Sequence, residues 1–379
     1  MIYADNAATT RISDYAFEKM LPFLREQWGN PSSRYSLGTR AKRAIEQARK
    51  QFAEAIGAGS DEIIFTSGGT ETNNWVLQSV ARTCANESAH FITSSIEHSS
   101  VLNTCRALEL CGIEVTYLPV DINGRVSSND VRAAVKPNTK LVSIMLANNE
   151  VGTIQPIAEI GRILNERKIL FHTDAVQAVG HIPVDVSGLQ VDFLTASAHK
   201  FNGAKGTGFL FKRSGLELSP LVFGGEQEHG LRAGTENVAG IVAAGYATEE
   251  CVAIMSETAN KLNDMVDSTV KGIQSKIPTV RVNGDTKNCL PGSVNLSFDG
   301  VSGESLMHLL DLKGICISTS SACASGNDKP SHVLIAMGLT EQQAKSSIRI
   351  TYGRYNAIDE VAVIVAAVCD AYDKIKSSQ

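Results

Sequence analysis

The sequence predicts an α/β fold built on a mostly parallel sheet, with a smaller α+β unit at the C-terminal end. Two observations carry the first part: seven short runs rich in Val, Ile and Phe recur through the first two thirds of the chain, and amphipathic stretches such as IAEIGRILNERK (157–168) lie between several of them. Such βα alternation is the mark of a parallel sheet covered on both faces. A third observation, a change of pattern near residue 235, predicts the smaller unit.

The strand-like runs are EIIFTS (62–67), HFITSS (90–95), EVTYLPV (114–120), LVSIMLA (141–147), ILFHTDA (169–175), VDFLTAS (191–197) and GTGFLFK (206–212). A long helical stretch, 237–276, then leads into short strands and helices and reads as a bridge between units. The expected division is a large domain over 15–255 and a small domain formed by 1–14 and 256–379.

Composition narrows the function. Of 379 residues, 43% are hydrophobic and 20% charged, the formal net charge is −5, and no run of five like charges occurs. That excludes the clustered Lys and Arg on which nucleic-acid or anionic-membrane affinity rests. The apolar run VAVIVAAV (361–368), at eight residues, is too short to span a bilayer. The N-terminus MIYADNAATT has no basic or apolar leader region, so the expected location is the cytoplasm. Eight cysteines occur without a Cys-x-x-Cys, which predicts neither a disulfide framework nor a structural zinc site. Cys84, Cys105, Cys111, Cys251, Cys289 and Cys369 read as small packing residues. Cys323 does not, because TSSACASGNDKP (319–330) is too small and polar to bury a thiol.

In an open α/β sheet, ligands collect at the carboxyl ends of the strands, so the residues after each run decide the chemistry. EIIFTS is followed by Gly68, Gly69 and Thr70. This is either a phosphate-binding turn at a helix N-terminus or a plain strand-to-helix turn. His98 follows HFITSS and on its own reads more readily as an exposed polar residue; Asn148, Asn149 and Glu150 cluster after LVSIMLA. Asp174 ends ILFHTDA, with Gln177 three residues on; it is a carboxylate needing a cation or a helix N-cap. Lys200 follows VDFLTAS through Ser197 and His199 and precedes Gly203, Gly206 and Gly208. Lysine is the amine that forms Schiff bases, and partial burial raises its nucleophilicity. Jointly these residues describe a pyridoxal 5'-phosphate site: an amine for the aldehyde, an anion for the ring nitrogen and a cradle for the phosphate.

The motifs DNAATT (5–10), FTSGGTETNN (65–74), IEHSSV (96–101), NNEVGTIQPI (148–157), HTDAVQAVG (172–180), SAHKFNGAKGTG (197–208), LRAGTENV (231–238), SSACASG (320–326) and SSIRITYGRY (346–355) run almost end to end. Through them the chain resembles the cysteine desulfurases, class V aminotransferases of pyridoxal-phosphate fold type I. The resemblance implies a Schiff base and Cα proton transfer for Lys200, ring stacking and proton transfer for His98, and a ring-nitrogen partner in Asp174. It implies that Gln177 meets the ring oxygen, that Gly69, Thr70, Ser197 and His199 bind phosphate, and that Asn149 lines the cofactor and substrate pocket. Arg349 would clamp the substrate carboxylate, with a structural ion pair as its alternative. Thr235 would reach the neighbouring subunit's phosphate, which implies a homodimer.

What the resemblance implies for the reaction is removal of sulfur from L-cysteine, giving L-alanine and a persulfide on Cys323. The sulfur then passes to an acceptor such as an iron–sulfur scaffold protein or a thiolation carrier. A selenocysteine lyase would use the same cofactor site, whereas an aminotransferase would need no loop thiol. The sequence ends at Gln379 soon after its last helical stretch, where members that dock a scaffold often carry a further tail. The small residues around Cys323 predict a mobile loop over about 318–330.

Overall fold

The computed structural model of the chain describes residues 1–84, 88–319 and 329–378. A seven-stranded sheet runs in the order Ile63–Thr66, Gly208–Lys212, Phe193–Ser197, Leu170–Asp174, Thr139–Ser143, His90–Ser94, Glu114–Leu118. Gly208–Lys212 is antiparallel to both neighbours, and every other pairing is parallel. Each predicted run thus forms a strand of this sheet. Both faces are buried, as parallel strands require: Ile63, Phe65, Leu194 and Ala196 enter one apolar core, while Ile64, Phe193 and Leu210 enter another on the opposite face.

The run LVSIMLA departs from expectation, because its strand ends at Ser143. On one side the ladder continues, with Ile144 N donating to His172 O and Leu146 N to Asp174 O. On the other side the neighbouring strand has ended at Ser94, and the buried Glu97 carboxylate takes Met145 N at 3.0 and 3.1 Å. A side chain replaces the missing strand, and of the residues beyond it Met145 and Ala147 line the cavity while Ile144 and Leu146 stay in the core.

The expected long bridge is two helices, Val238–Ala253 and Met255–Lys276, bent by 72° at Ile254. The first packs on the helices Asp14–Arg25 and Ser36–Ile56, the second on Glu360–Ser377. Beyond the bend lies a separate apolar core around Leu296, Phe298, Ile348, Ile350 and Val368. It backs an antiparallel four-stranded sheet in the order Ser318–Thr319, Ser347–Thr351, Ser293–Ser297, Arg281–Asn283. The N-terminal segment joins this side, with Ile2–Tyr3 parallel to Ile315–Cys316 and Asp5 bridged to Thr351.

Among the described residues no single helix is long and apolar enough to cross a membrane. Cys84, Cys105, Cys251 and Cys369 are buried and Cys289 is partly so. Cys111 corrects the packing expectation: it is exposed in the turn after the helix Ser99–Glu109, where the chain has left the apolar face. Cys323 and most of the loop expected to be mobile lie outside the described residues.

Candidate active site

The polar residues that follow the strands converge on one cavity of about 270 Å³, placed between the large sheet's carboxyl ends and the four-stranded sheet. Gly69, Thr70, His98, Asn149, Asp174, Gln177, Ser197, His199, Lys200 and Arg349 all line it. Two expected site residues are not on this wall: Thr235 is exposed and lines no part of the cavity, and Cys323 lies outside the described residues.

Asp174 is the last residue of its strand and 5% exposed. Its Oδ1 accepts from Val176 N at 3.0 Å and its Oδ2 from Asn73 Nδ2 at 2.6 Å. The same amide donates to Ser100 Oγ at 2.9 Å, and Ser100 Oγ lies 2.8 Å from His98 Nδ1. An unbroken hydrogen-bonded chain therefore links the carboxylate to the imidazole. His98 caps the helix Ser99–Glu109 by accepting from Ser100 N at 3.2 Å through Nδ1. With Nδ1 accepting, the neutral ring carries its proton on Nε2. Burial lowers the pKa of His98 and the Lys200 ammonium lowers it further, while Asp174 opposes both. The ring is therefore neutral at physiological pH.

Lys200 sits in the single turn Ala198–Lys200 after the strand Phe193–Ser197. Its Nζ donates to Ala7 O at 2.6 Å and Ala8 O at 2.7 Å, so the N-terminal segment holds the amine at the cavity. Gln177 Nε2 donates to the same Ala7 carbonyl at 3.0 Å. His199 is held through Nδ1 and Thr9 Oγ1 at 3.1 Å, and burial lowers its pKa to about 4, with Lys200 and Lys205 adding to the shift.

At the head of the helix Gly69–Thr83, Gly68 has φ +144°, a conformation left to glycine. A Cβ on Gly69 would lie 2.8 Å from Val176 Cγ2, so the turn can pass there only without a side chain. Gly69 and Thr70, in the first turn of this helix, line the cavity with Ser197 and His199, where first-turn N–H groups left free can meet an anion.

The opposite wall is Arg349, in the middle of Ser347–Thr351 and 3% exposed. Its Nη1 donates to Asn149 O and its Nη2 to Asp5 Oδ1, each at 2.7 Å, while Nε is buried without a partner. The ion pair weighed as the alternative for Arg349 is thus present, and the side chain lines the cavity as well.

Sequence reading passed over Asn73, Ser100 and Asp5. Asn73 lies three residues after Thr70 on the same helix, a spacing that puts both on one face, and this was the available signal. Nothing local marks Asp5, whose partner is 344 residues away.

The aminotransferase class-V family matches residues 2–364, and the chain belongs to that family. It is 48% identical to the cysteine desulfurase IscS of Methanosarcina thermophila over 99% of this chain and 93% of that protein. Against the putative cysteine desulfurase IscS 1 of Bacillus subtilis strain 168 the identity is 45%, over 99% of both chains. Among solved structures, a NifS-like protein superposes with a TM-score of 0.92 at 40% identity, covering 97% of this chain and 98% of that one. SspA in complex with cysteine superposes with a TM-score of 0.84 at 37% identity, over 94% of this chain and all of that one.

Proposed function

We propose that the chain is a pyridoxal-phosphate-dependent cysteine desulfurase: L-cysteine and the Cys323 thiol give L-alanine and a Cys323 persulfide. The observation that carries the reading is the meeting, in one cavity, of an amine, a buried carboxylate and a buried guanidinium from three separate strand regions. The relatives named cysteine desulfurase and the solved cysteine complex of SspA support the same substrate.

The residues present fit the cofactor. A turn that excludes a Cβ at Gly69, followed by a helix N-terminus, suits a phosphate. The buried Asp174 carboxylate requires a positive partner, as a protonated ring nitrogen would be. When bound, pyridoxal phosphate supplies an aldehyde for amine exchange and a protonated ring that withdraws electrons from the substrate Cα.

The chain's own residues do the rest. Lys200 Nζ, held by the Ala7 and Ala8 carbonyls, would carry the cofactor and, once displaced by substrate, move the proton at Cα. Asp174, oriented by Val176 N and Asn73, would hold the ring-nitrogen proton. His98 would cover the ring and present the proton held on Nε2. Gln177 would meet the ring oxygen, and Thr70, Ser197 and His199 the phosphate. Asn149 and Arg349 would receive the substrate carboxylate. In the sulfur step the Cβ–S bond breaks and a bond forms between that sulfur and the Cys323 thiolate. The proton released by the thiol balances the one gained at Cβ. An acceptor protein would then take the sulfur.

Thr235 is exposed and does not line its own subunit's cavity, which suits a residue serving a second copy in a homodimer. The test is direct. The cofactor-loaded protein should form alanine from L-cysteine and release sulfide with a reductant, and absence of alanine would end the reading. Cys323→Ser should keep the cofactor absorbance and lose sulfide release.

A further inference from the structure

The described residues that flank 320–328 lie against the cavity walls on both sides. Upstream, Ser318 pairs directly with Arg349 across the antiparallel ladder. Downstream, Ser331 Oγ meets Glu150 Oε2 at 2.5 Å and accepts from Leu334 N at 3.1 Å, capping the helix His332–Ala336. Ser331 therefore gives its one hydroxyl proton to Glu150 while accepting from Leu334 N. His332 lies 3.0 Å from Glu97 O through Nε2. A carbonyl only accepts, so His332 donates there. Val333, Leu334 and Met337 pack with Ile96, Met145 and Val151 beneath these contacts.

Two features set this junction apart from ordinary helix packing. Glu150 and Glu97 are both fully enclosed carboxyl groups, which are costly to bury and are kept where they make specific bonds. Among the described residues, Ser331 is the hydrogen-bond partner of the Glu150 carboxyl. Glu150 also adjoins Asn149, and Glu97 adjoins His98. The downstream flank is thus tied to the two strand exits that supply the substrate and ring contacts.

We propose that Ser331 and Glu150, with His332 on the Glu97 carbonyl, are positioning residues that fasten the root of the thiol-bearing segment to the catalytic pocket. The inference rests on reading Cys323 as the sulfur-receiving thiol. Cys323 precedes Ser331 by eight residues, a contour of about 26–29 Å at full extension. A root fixed beside the pocket keeps the thiol's accessible volume centred on it. A root set loose enlarges that volume and lowers the thiol's effective concentration at the substrate.

The experiment compares wild type, Ser331→Ala, His332→Ala, the double variant and Glu150→Gln as cofactor-loaded enzymes. In single turnovers, the absorbance change on adding L-cysteine should keep its rate, because the pocket is untouched. Alanine formation should slow about 5-fold for each hydrogen bond removed. Glu150→Gln, whose amide can still pair with Ser331, should stay within about 2-fold of wild type. In the cofactor-free proteins, iodoacetamide alkylation of Cys323 should change rate in Ser331→Ala and His332→Ala and not in Glu150→Gln. His332 is exposed, so its variant tests the idea even where Ser331→Ala folds poorly. Unchanged alanine formation and unchanged alkylation in His332→Ala would overturn the inference. A slowed absorbance change that accounts for all the loss would overturn it too. Full alanine formation by Cys323→Ser would instead remove the reading beneath it.

Discussion

The two walls of the cavity are built on different principles. The wall from the seven-stranded sheet presents residues at or just past their strand ends, where the backbone leaves the ladder: Asp174 and Ser197 close their strands, and His98 and Lys200 follow theirs. The wall from the four-stranded sheet presents Arg349 from the centre of a strand, paired on both sides, at Ser318 and Asn295. The first wall gathers groups that exchange or share protons. The second offers one fixed charge whose two Nη atoms already hold Asp5 and Asn149 O. On the proposed function, chemistry and charge recognition would be separated by fold, and substitutions on each wall should fail differently.

The largest effect belongs to the first wall. Lys200→Ala removes the amine and should lower alanine formation by at least about 10³-fold, with loss of the Schiff-base absorbance of the isolated protein. A variant retaining a tenth of wild-type activity would break the assignment of the wall. Arg349→Ala should act otherwise. Loss of a charge-assisted contact to carboxylate is equivalent to about 2–3 kcal/mol, or about 30–150-fold in KM for L-cysteine, with the cofactor absorbance retained. Arg349→Lys should recover little, since a single ammonium cannot hold Asp5, the Asn149 carbonyl and a substrate carboxylate together. Should Arg349→Ala lose cofactor instead, the separation of the two walls would be wrong.

Asn73→Ala tests the link inside the first wall at smaller scale. It removes the Nδ2 donor shared by Asp174 and Ser100, and the expected loss is about 10-fold in kcat, near 1.4 kcal/mol. The pH profile should change as well, because Asn73 connects Asp174 to the His98 side of the pocket. An unaltered profile with reduced kcat would leave Asn73 a packing residue.

Legibility followed the same division. The first wall was readable because polar residues directly after apolar runs stand out locally: Asp174 after ILFHT, Lys200 after FLTASAH. The second wall was readable at Arg349 only through family resemblance, since SSIRIT shows an arginine in a strand-like run and nothing of its partner. Asp5 is 344 residues from Arg349, Ser331 is 181 from Glu150 and His332 is 235 from Glu97. No periodicity connects such positions; only the return of the chain to the sheet does. The end of the strand at Ser143 was hidden for a related reason. LVSIMLA is apolar apart from Ser143, and nothing in it shows that the neighbouring strand ends at Ser94 and that a carboxylate takes its place.

That carboxylate supplies the smallest and most specific test. Burial raises Glu97 from the ordinary glutamate range to about 8, with Ser94 Oγ and Met145 N opposing and Asp174 adding to the rise. The folded state therefore binds a proton that the unfolded chain has released. Its stabilisation is fully present below the ordinary glutamate pKa and is lost as pH rises through the folded value. Glu150, raised by burial to about 7, has the same sign and is half titrated at neutrality, so it adds to the fall nearest pH 7. The buried His172, lowered to about 3, acts on the acid side of the ordinary histidine pKa, and Cys105, raised to about 12, acts where unfolded thiols ionise. Between pH 7 and 8, then, Glu97 is the larger of the two contributions and Glu150 adds at the lower end. Urea unfolding should show stability falling with pH in that interval, with an upper slope of about 1.4 kcal/mol per pH unit. Glu97→Gln keeps both hydrogen bonds from Ser94 and Met145 N and should reduce the slope in that interval, most at its upper end. A slope unchanged by Glu97→Gln would mean that the carboxylate closing the first wall is ionised in the folded protein, and that the wall carries one more negative charge beside Asp174 than its geometry implies.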